Sequence, residues 1–211
     1  MAKTIWMVKQ MARVRAPEQT RKNIINSAFD EIRTYGYQGC SLDRILKNAK
    51  VTKGALYHHF ENKAALGIAV LDEVIETFLY KQWGPSLENQ DDPIQCMIDR
   101  INEMVEKRFA EDLPVLGLPL GNFVQEMAPL DKTFLLRVRK LFKLWQELIA
   151  VALQQGQAAG TVRKDINIEQ SALFLVTAYE GVTSIVRASQ TREMLQDTAS
   201  ALIAYLETLK A

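Results

Sequence analysis

The two histidines of the chain are neighbours, His58 and His59, inside the stretch GALYHHFENK at residues 54–63. A histidine pair can hold a metal ion or transfer protons, so this stretch is the first candidate for chemistry. Adjacent residues on a helix point about 100° apart, whereas helical zinc pairs stand four residues apart and need further ligands. No such set accompanies this pair. We therefore expect no metal, and we interpret the pair as surface or phosphate-contacting side chains.

Other patterns that carry chemistry are missing from the sequence. It contains no P-loop, no dinucleotide-binding fingerprint, no nucleophile elbow and no zinc-protease motif. Cys40 and Cys96 are far apart and form no C-x-x-C pair. A disulfide scaffold or zinc site is therefore not expected, and a reducing compartment fits. We predict no catalytic residue, no cofactor and no metal, and hence a protein that is not an enzyme.

The formal net charge of +1 hides an uneven distribution along the chain. Residues 1–66 carry 12 Lys and Arg against 5 Asp and Glu, which gives +7, while residues 67–211 carry 14 against 20, which gives −6. This asymmetry indicates that the N-terminal part faces a polyanion. No apolar run approaches the roughly 18 residues of a membrane helix. We expect no membrane contact and a cytoplasmic protein.

Apolar residues recur at helical spacing almost throughout, and the alternation typical of strands is absent. The pattern predicts a helix over 17–35 that ends at Gly36. Two short helices follow, with Ser41 and Thr52 as natural N-caps and two residues between them. In the next helix, over 63–83, every fourth residue is expected to face inward: Leu66, Val70, Val74 and Phe78.

Longer helices are predicted in the second half of the chain, over 93–110, 131–155, 166–188 and 191–210. The helix at 166–188 is apolar nearly all round, so it needs more than one neighbour. A second copy of the chain is one way to supply that neighbour. We therefore predict a homodimer through the helices at about 166–188 and 191–210.

Two short capped helices that follow a basic helix are typical of a helix-turn-helix, whose second helix reads DNA. That second helix begins with small or polar residues from Thr52 to Ala55. Small residues let a helix end approach DNA closely, and the free backbone N–H groups there suit phosphate. Tyr57 and the two histidines project from the same helix.

The stretch GYQGCSLDRILKNAKVTKGALYHHFENKAAL, residues 36–66, resembles the DNA-binding domain of the tetracycline-repressor (TetR) family. The residues that carry the resemblance are Gly36, Ser41, Ile45, Ala49, Val51, Lys53, Gly54, Leu56, Tyr57, Phe60, Asn62, Lys63 and Leu66. The remaining chain matches only in its all-helical layout. One residue departs from the pattern: Lys50 stands where the family usually has glycine. We expect this lysine to accept a positive φ, at a cost of about 1 kcal/mol.

The resemblance implies a homodimeric repressor that binds a palindromic operator in double-stranded DNA. It also implies release from that operator when a small-molecule effector enters the C-terminal domain. The phosphate contacts that it implies come from Ser41, Tyr57, His59 and Lys63. The residues that it places near base edges or the adjoining backbone are Arg44, Thr52, Lys53, Gly54, Ala55 and His58.

We predict an all-α protein with a basic, flexible N-terminal tail over 1–16. A three-helix helix-turn-helix domain follows over 17–66, and a helical ligand-binding and dimerisation domain over 67–211. The helix at 63–83 touches both domains, so it is the expected transmitter between them. The candidate pocket residues are Trp83, Phe109, Asn122, Phe123, Glu126, Trp145 and Tyr179.

Two other functions stay open on the residues alone. A small-molecule-binding helical protein would use the C-terminal helices, but it leaves the N-terminal charge of +7 unexplained. An architectural DNA binder without operator specificity would use that charge, but it leaves the large C-terminal part unexplained.

Overall fold

The computed structural model describes residues 2–84, 87, 91–111 and 116–211, and within these ranges the side chains of residues 17–109 and 116–211. The described residues form helices and connections without a named strand, which confirms the all-α prediction. The helices are α1 (Ala2–Gly39), α2 (Leu42–Ala49), α3 (Lys53–His59), α4 (Lys63–Ala69), a π-helical turn (Val70–Ile75), α5 (Glu76–Trp83), α6 (Pro93–Glu111), α7 (Leu120–Glu126), α8 (Lys132–Ala159), α9 (Ile168–Ser189) and α10 (Arg192–Glu207).

The helices pack as two groups that share α1, α4 and the π-helical turn. Helix α1 packs against α2, α3, α4 and α7. Helix α8 packs against α5, α6, α7 and α9, and α10 packs against α6 and α9. Within the described ranges, no helix is long and apolar enough to cross a bilayer.

Local sequence signals set the ends of the short helices. The Ser41 hydroxyl accepts from the Arg44 N–H at 3.4 Å, and the Thr52 hydroxyl accepts from the Ala55 N–H at 3.2 Å. Both predicted N-caps are therefore confirmed. Lys50 ends α2 with φ 56° and ψ 45°, the left-handed conformation that we expected from its place in the turn.

Helix α1 has a break where the sequence places its end. Gly36 has φ 78° and ψ 169°, which no residue inside a helix adopts, and a further short helical segment continues to Gly39. At the other end, the backbone of α1 begins at Ala2, so the segment assigned to a tail joins this helix. The side chains of residues 1–16 lie outside the described residues, and the flexibility of this segment stays a prediction.

The buried face of the helix at 63–83 differs from the predicted one. Phe78 is 45 % exposed, whereas Ile75, Leu79 and Trp83 are buried. The reason is the π-helical turn, in which the Glu76 N–H donates to the carbonyl five residues back instead of four. One extra residue in the turn moves the inward face forward by one position. The prediction for Phe78 was therefore wrong.

The left-handed lysine gives a stability test. We expect Lys50→Gly to stabilise the protein by about 1 kcal/mol, because glycine adopts a positive φ without the steric cost of a Cβ. The matched control is Lys47→Gly, at an exposed position inside the same helix, which should destabilise by about 1 kcal/mol. Urea unfolding at one protein concentration measures both. Equal destabilisation by the two variants would contradict a strained turn.

Candidate nucleic-acid interface and ligand cleft

Helix α3 has one buried side and one side open to solvent. Leu56 is 1 % exposed and packs in the core that α1 shares. Tyr57 is 46 % exposed, and Lys53, Gly54 and His58 are also exposed. The structure thus anchors the helix by its apolar residues and leaves most of the predicted DNA-contacting residues on the surface.

Gly54 is not required by the packing of this chain. A Cβ at this position would find the Thr52 hydroxyl oxygen as its nearest neighbour, at 3.9 Å. Glycine inside a helix costs about 0.5–1 kcal/mol relative to alanine. The chain therefore leaves room for a side chain at Gly54, and the role of the small residue in the approach of the helix to DNA stays a prediction.

A small groove between α2 and α3 brings three of the predicted phosphate- and base-contacting residues together. Its volume is about 190 Å³, and Ser41, Lys53 and Tyr57 line it. The Lys53 ammonium lies 6.0 Å from the centre of the Tyr57 ring. A cation and two hydroxyl groups around one exposed groove suit a phosphate oxygen.

The two histidine rings of α3 lie against each other. The ring centres of His58 and His59 are 5.2 Å apart, in an edge-to-face arrangement at 66°. In the part of the chain that the structure describes, no group of three or more His, Cys, Asp or Glu could hold a metal ion. Burial lowers the pKa of His59, and the neighbouring His58 and Arg21 lower it further.

Glu31 organises the start of α2, and the sequence analysis missed it. Its carboxylate is buried and accepts from the Ser41 N–H at 3.1 Å and from Arg44 Nε at 2.5 Å. The Arg44 guanidinium also lies 4.3 Å from the centre of the Tyr35 ring. These contacts fix two of the predicted DNA-contacting residues. The signal in the sequence was an acidic residue next to Ile32, on the apolar face of a helix.

Lys63 binds the end of α1. Its ammonium donates to the Gln38 carbonyl at 3.3 Å and to the Cys40 carbonyl at 3.0 Å, and it lies 5.0 Å from the centre of the Tyr37 ring. The structure therefore gives Lys63 a role in joining α4 to α1. Its contact with phosphate stays a prediction.

Three of the predicted pocket residues form an aromatic cluster. The Trp83 ring centre lies 5.8 Å from that of Trp145 and 4.8 Å from that of Tyr179. The Trp145 Nε1 is buried and has no hydrogen-bond partner. Burial raises the pKa of Tyr179. An unpaired buried donor is costly, so this cluster is a place where a ligand acceptor would find a partner.

Two other predicted pocket residues are held by their neighbours. Phe123 is fully buried, with its ring centre 5.3 Å from that of Tyr37 and 5.6 Å from that of Phe134. Phe109 stacks under the guanidinium of Arg192, at 5.2 Å from the ring centre. Phe123 is thus a core residue.

The last two predicted pocket residues bind α1. Asn122 donates from Nδ2 to the Ile32 carbonyl at 2.9 Å. Glu126 accepts the N–H of Gln38 at 2.6 Å. Both side chains belong to α7, so this short helix connects the two groups of helices.

A cleft of about 910 Å³ lies between α7, α8, α9 and the segment 116–118. Of the seven predicted pocket residues, Asn122 lines it, and the other six do not. Glu180 also lines it, with a half-buried carboxyl that makes no hydrogen bond or ion pair to any residue that the structure describes. Burial raises the pKa of Glu180 to about 7. The sequence analysis missed Glu180, although an acidic residue inside an apolar helix was a visible signal.

Comparison with known proteins identifies both parts of the chain. The family model "Bacterial regulatory proteins, tetR family" matches residues 24–70. The model "Tetracyclin repressor-like, C-terminal domain" matches residues 97–202. The first match covers α2 and α3, and the second covers the helices that form the cleft.

Individual relatives agree with these matches. The HTH-type transcriptional repressor DhaR of Mycobacterium sp. is 27 % identical over 83 % of this chain and 86 % of its own length. The A-factor receptor protein of Streptomyces griseus is 28 % identical over 88 % of this chain and 62 % of its own length.

The fold has solved counterparts. A TetR transcriptional regulator from Chloroflexus aurantiacus superposes with a TM-score of 0.76 at 23 % identity, over 93 % of this chain and 98 % of that one. A TetR-family regulator from Cytophaga hutchinsonii gives 0.77 at 22 % identity, over 92 % and 96 %. The two family matches together span most of the chain. The chain therefore belongs to the TetR family: it is a DNA-binding transcriptional regulator and not an enzyme.

Proposed function

We propose that the protein is a homodimeric repressor of the cytoplasm that binds a palindromic operator and leaves it when a small molecule enters its C-terminal part. The observation that carries this proposal is the pairing of an exposed α3 with a cleft in the C-terminal part of the same chain. The exposed residues of α3 supply the contacts with DNA. The cleft supplies a place for the effector.

The N-terminal part carries the charge that DNA binding needs. Residues 1–66 have a net charge of +7. Basic residues give affinity that does not depend on sequence and falls with salt. Choice of sequence comes from side chains at base edges, and we assign this role to Lys53 at the start of α3 and His58 near its end, while Gly54 lets the backbone come close to the DNA. Ser41, Tyr57 and His59 contact phosphate.

Helix α9 offers a face for a second copy of the chain. Leu173 and Ile185 on this helix are each 53 % exposed. Thr177 and Gly181 are exposed between them at spacings of four residues, so the four positions form one stripe. The exposed side of α10 has the small residues Ser200, Ala201 and Ala204. Apolar and small residues on two adjacent helices suit close packing against the same two helices of a partner.

Dimerisation sets the distance between the two copies of α3. Two copies of α3 in successive major grooves must lie about one turn of DNA, roughly 34 Å, apart. The cleft is lined by Leu173, Thr177 and Gly181, which belong to the stripe on α9. A ligand in the cleft therefore lies beside the dimer contact. An effector that favours a different α3 spacing weakens operator binding in proportion to its preference for that form.

The operator is the first test. DNA from upstream of the protein's own gene and a random duplex of equal length and composition are titrated with the protein at several salt concentrations. We expect the upstream DNA to bind at least about a thousandfold more tightly, since specific and non-specific sites typically differ by that much. Equal affinity for the two duplexes at every salt concentration would contradict an operator-specific regulator.

Two exposed tyrosines, one on the proposed DNA-binding face and one away from it, test the position of that face. Tyr57→Ala should weaken operator binding about tenfold, because one side-chain contact at the interface is worth on the order of 1 kcal/mol. Tyr80 on α5 is 49 % exposed but lies outside the N-terminal part, and Tyr80→Ala should leave the affinity unchanged. Fluorescence anisotropy measures both, with size-exclusion chromatography to check the dimer. A normal affinity for Tyr57→Ala would place the DNA face elsewhere.

Glu180 predicts a stability that depends on pH. Burial raises its pKa in the folded state to about 7, above the ordinary value of 4.5, so the folded state holds the proton more tightly than the unfolded state. Stability is therefore greatest below the unfolded pKa and falls as the pH rises through 7. Glu180→Gln should raise the free energy of unfolding at pH 8 by on the order of 2 kcal/mol, and the gain should vanish near pH 4.5. Urea unfolding across this range checks it, and a gain that does not change with pH would contradict a buried carboxyl.

A further inference from the structure

Arg187 belongs to the cleft and also holds the end of α1. Its Nη1 donates to Asn122 Oδ1 at 3.0 Å, and its Nη2 donates to the Thr34 carbonyl at 3.3 Å. Asn122 in turn donates to the Ile32 carbonyl at 2.9 Å. Arg187 and Asn122 both line the cleft. A group that enters the cleft and binds Arg187 therefore competes for the hydrogen bonds that hold α1.

The backbone at this end of α1 depends on partners from the C-terminal part. In a straight helix, the Gln38 N–H would donate to the Thr34 carbonyl, four residues back. The break at Gly36 lies between them, and Gln38 donates to Glu126 Oε2 at 2.6 Å while Thr34 accepts from Arg187. A Cβ at Gly36 would lie 2.3 Å from Glu126 Oε1, so the carboxylate fits only against glycine. The direction in which α1 leaves this point is thus set by C-terminal side chains.

The cleft is rich in positive charge. Arg139, Lys143 and Arg187 line it, against one carboxyl group, that of Glu180. Arg139 has no hydrogen bond or ion pair to the described residues, and Lys143 reaches Glu147 only at 3.5 Å. Cations that are unpaired or only weakly paired among the described residues attract an anionic ligand.

More positive charge comes from α1 itself. Arg33 donates from Nε to the Gly117 carbonyl at 2.8 Å, and Gly117 is part of the cleft wall. Burial lowers the pKa of Arg33, and the charges of Arg108 and Arg187 lower it further. Guanidinium groups that crowd in this way are stabilised by an anion placed between them.

The rest of the wall is apolar. Leu118, Val124, Phe142 and Val176 line the cleft. Its volume of about 910 Å³ is within the range of sites for drug-sized molecules. A ligand that fits this wall has an apolar body as well as a charged group.

We propose that the cleft binds an organic anion with an apolar body, and that its acid group takes Arg187 away from Thr34 and Asn122. The loss of these hydrogen bonds frees the end of α1, which carries α2 and α3, and lowers operator affinity. This inference rests on the proposed function, because it takes the cleft as the effector site. The signal passes through α7, α9 and α1, in addition to the helix at 63–83.

A charge placed chemically in the cleft tests the proposal without knowledge of the natural effector. Thr183 lines the cleft four residues before Arg187 on α9, so the two side chains are neighbours. Thr183→Cys is labelled either with 2-sulfonatoethyl methanethiosulfonate or with the cationic 2-(trimethylammonio)ethyl reagent. Each reagent forms a mixed disulfide of similar length, and only the sign of the charge differs. The unsubstituted chain, with buried Cys40 and half-buried Cys96, gives the background labelling.

Two properties of each labelled protein are measured, its amide hydrogen exchange and its affinity for the operator. We expect the sulfonate to raise amide hydrogen exchange in residues 33–40 at least about fivefold and to weaken operator binding at least about tenfold, as expected for a coupled site. The trimethylammonium adduct should change each by less than about twofold. In a Thr183→Cys, Arg187→Gln protein the sulfonate effect should be lost. In the matched Thr183→Cys, Lys132→Gln protein it should remain, because Lys132 is exposed and does not line the cleft.

Equal effects from the two charges would overturn the proposal, and so would a full sulfonate effect in the Arg187→Gln protein. The exchange measurement needs no DNA. A protein that shows the charge-dependent exchange but binds no operator would therefore contradict the proposed function and still support the cleft as an anion site linked to α1.

Discussion

The end of α1 carries backbone groups that its own helix leaves unpaired, and much of the structure depends on how they are paired. The break at Gly36 separates donors from acceptors that would otherwise bind one another. The ammonium of Lys63, on α4, donates hydrogen bonds to the carbonyls of Gln38 and Cys40. The carboxylate of Glu126, on α7, accepts a hydrogen bond from the N–H of Gln38. These contacts join the DNA-binding helices to the C-terminal helices at the end of α1.

The N-terminal unit is held together by one buried carboxylate as well as by its core. Glu31 is 4 % exposed and joins the start of α2 to α1 through Ser41 and Arg44. A buried charge that lost one of its partners would be costly, so these contacts are expected to form together. The consequence is that α1 and α2, which pack together, are also linked by hydrogen bonds through one buried carboxylate. The cleft differs from this N-terminal unit, because its polar groups can still form further hydrogen bonds.

Periodic and local signals predicted much of the fold. The all-α class, the caps at Ser41 and Thr52 and the left-handed Lys50 follow from residue types at fixed short spacings. Contacts between distant residues gave no such signal. Nothing in the spacing of Arg187 and Thr34 shows that they bind one another, and the roles of Glu31 and Glu180 depend on burial that only the tertiary structure creates. The predicted pocket residues lie at several separate places for the same reason: aromatic type does not tell a core residue such as Phe123 from a cleft residue.

The π-helical turn at Val70–Ile75 lies where one continuous helix passes from the DNA-binding unit to the C-terminal part. Its acidic residues are bound from both sides: Glu73 by Arg21 of α1 at 2.5 Å, and Asp72 by Arg137 of α8 at 3.0 Å. One inserted residue rotates everything after it by about 100° around the helix axis. The extra residue thus sets the rotation of α5 about the helix axis relative to α4. A chain shortened by one residue here would keep nearly the same composition but would turn Trp83 and its aromatic cluster away from α8. The length of this helix therefore sets the angle between the DNA-binding helices and the C-terminal helices.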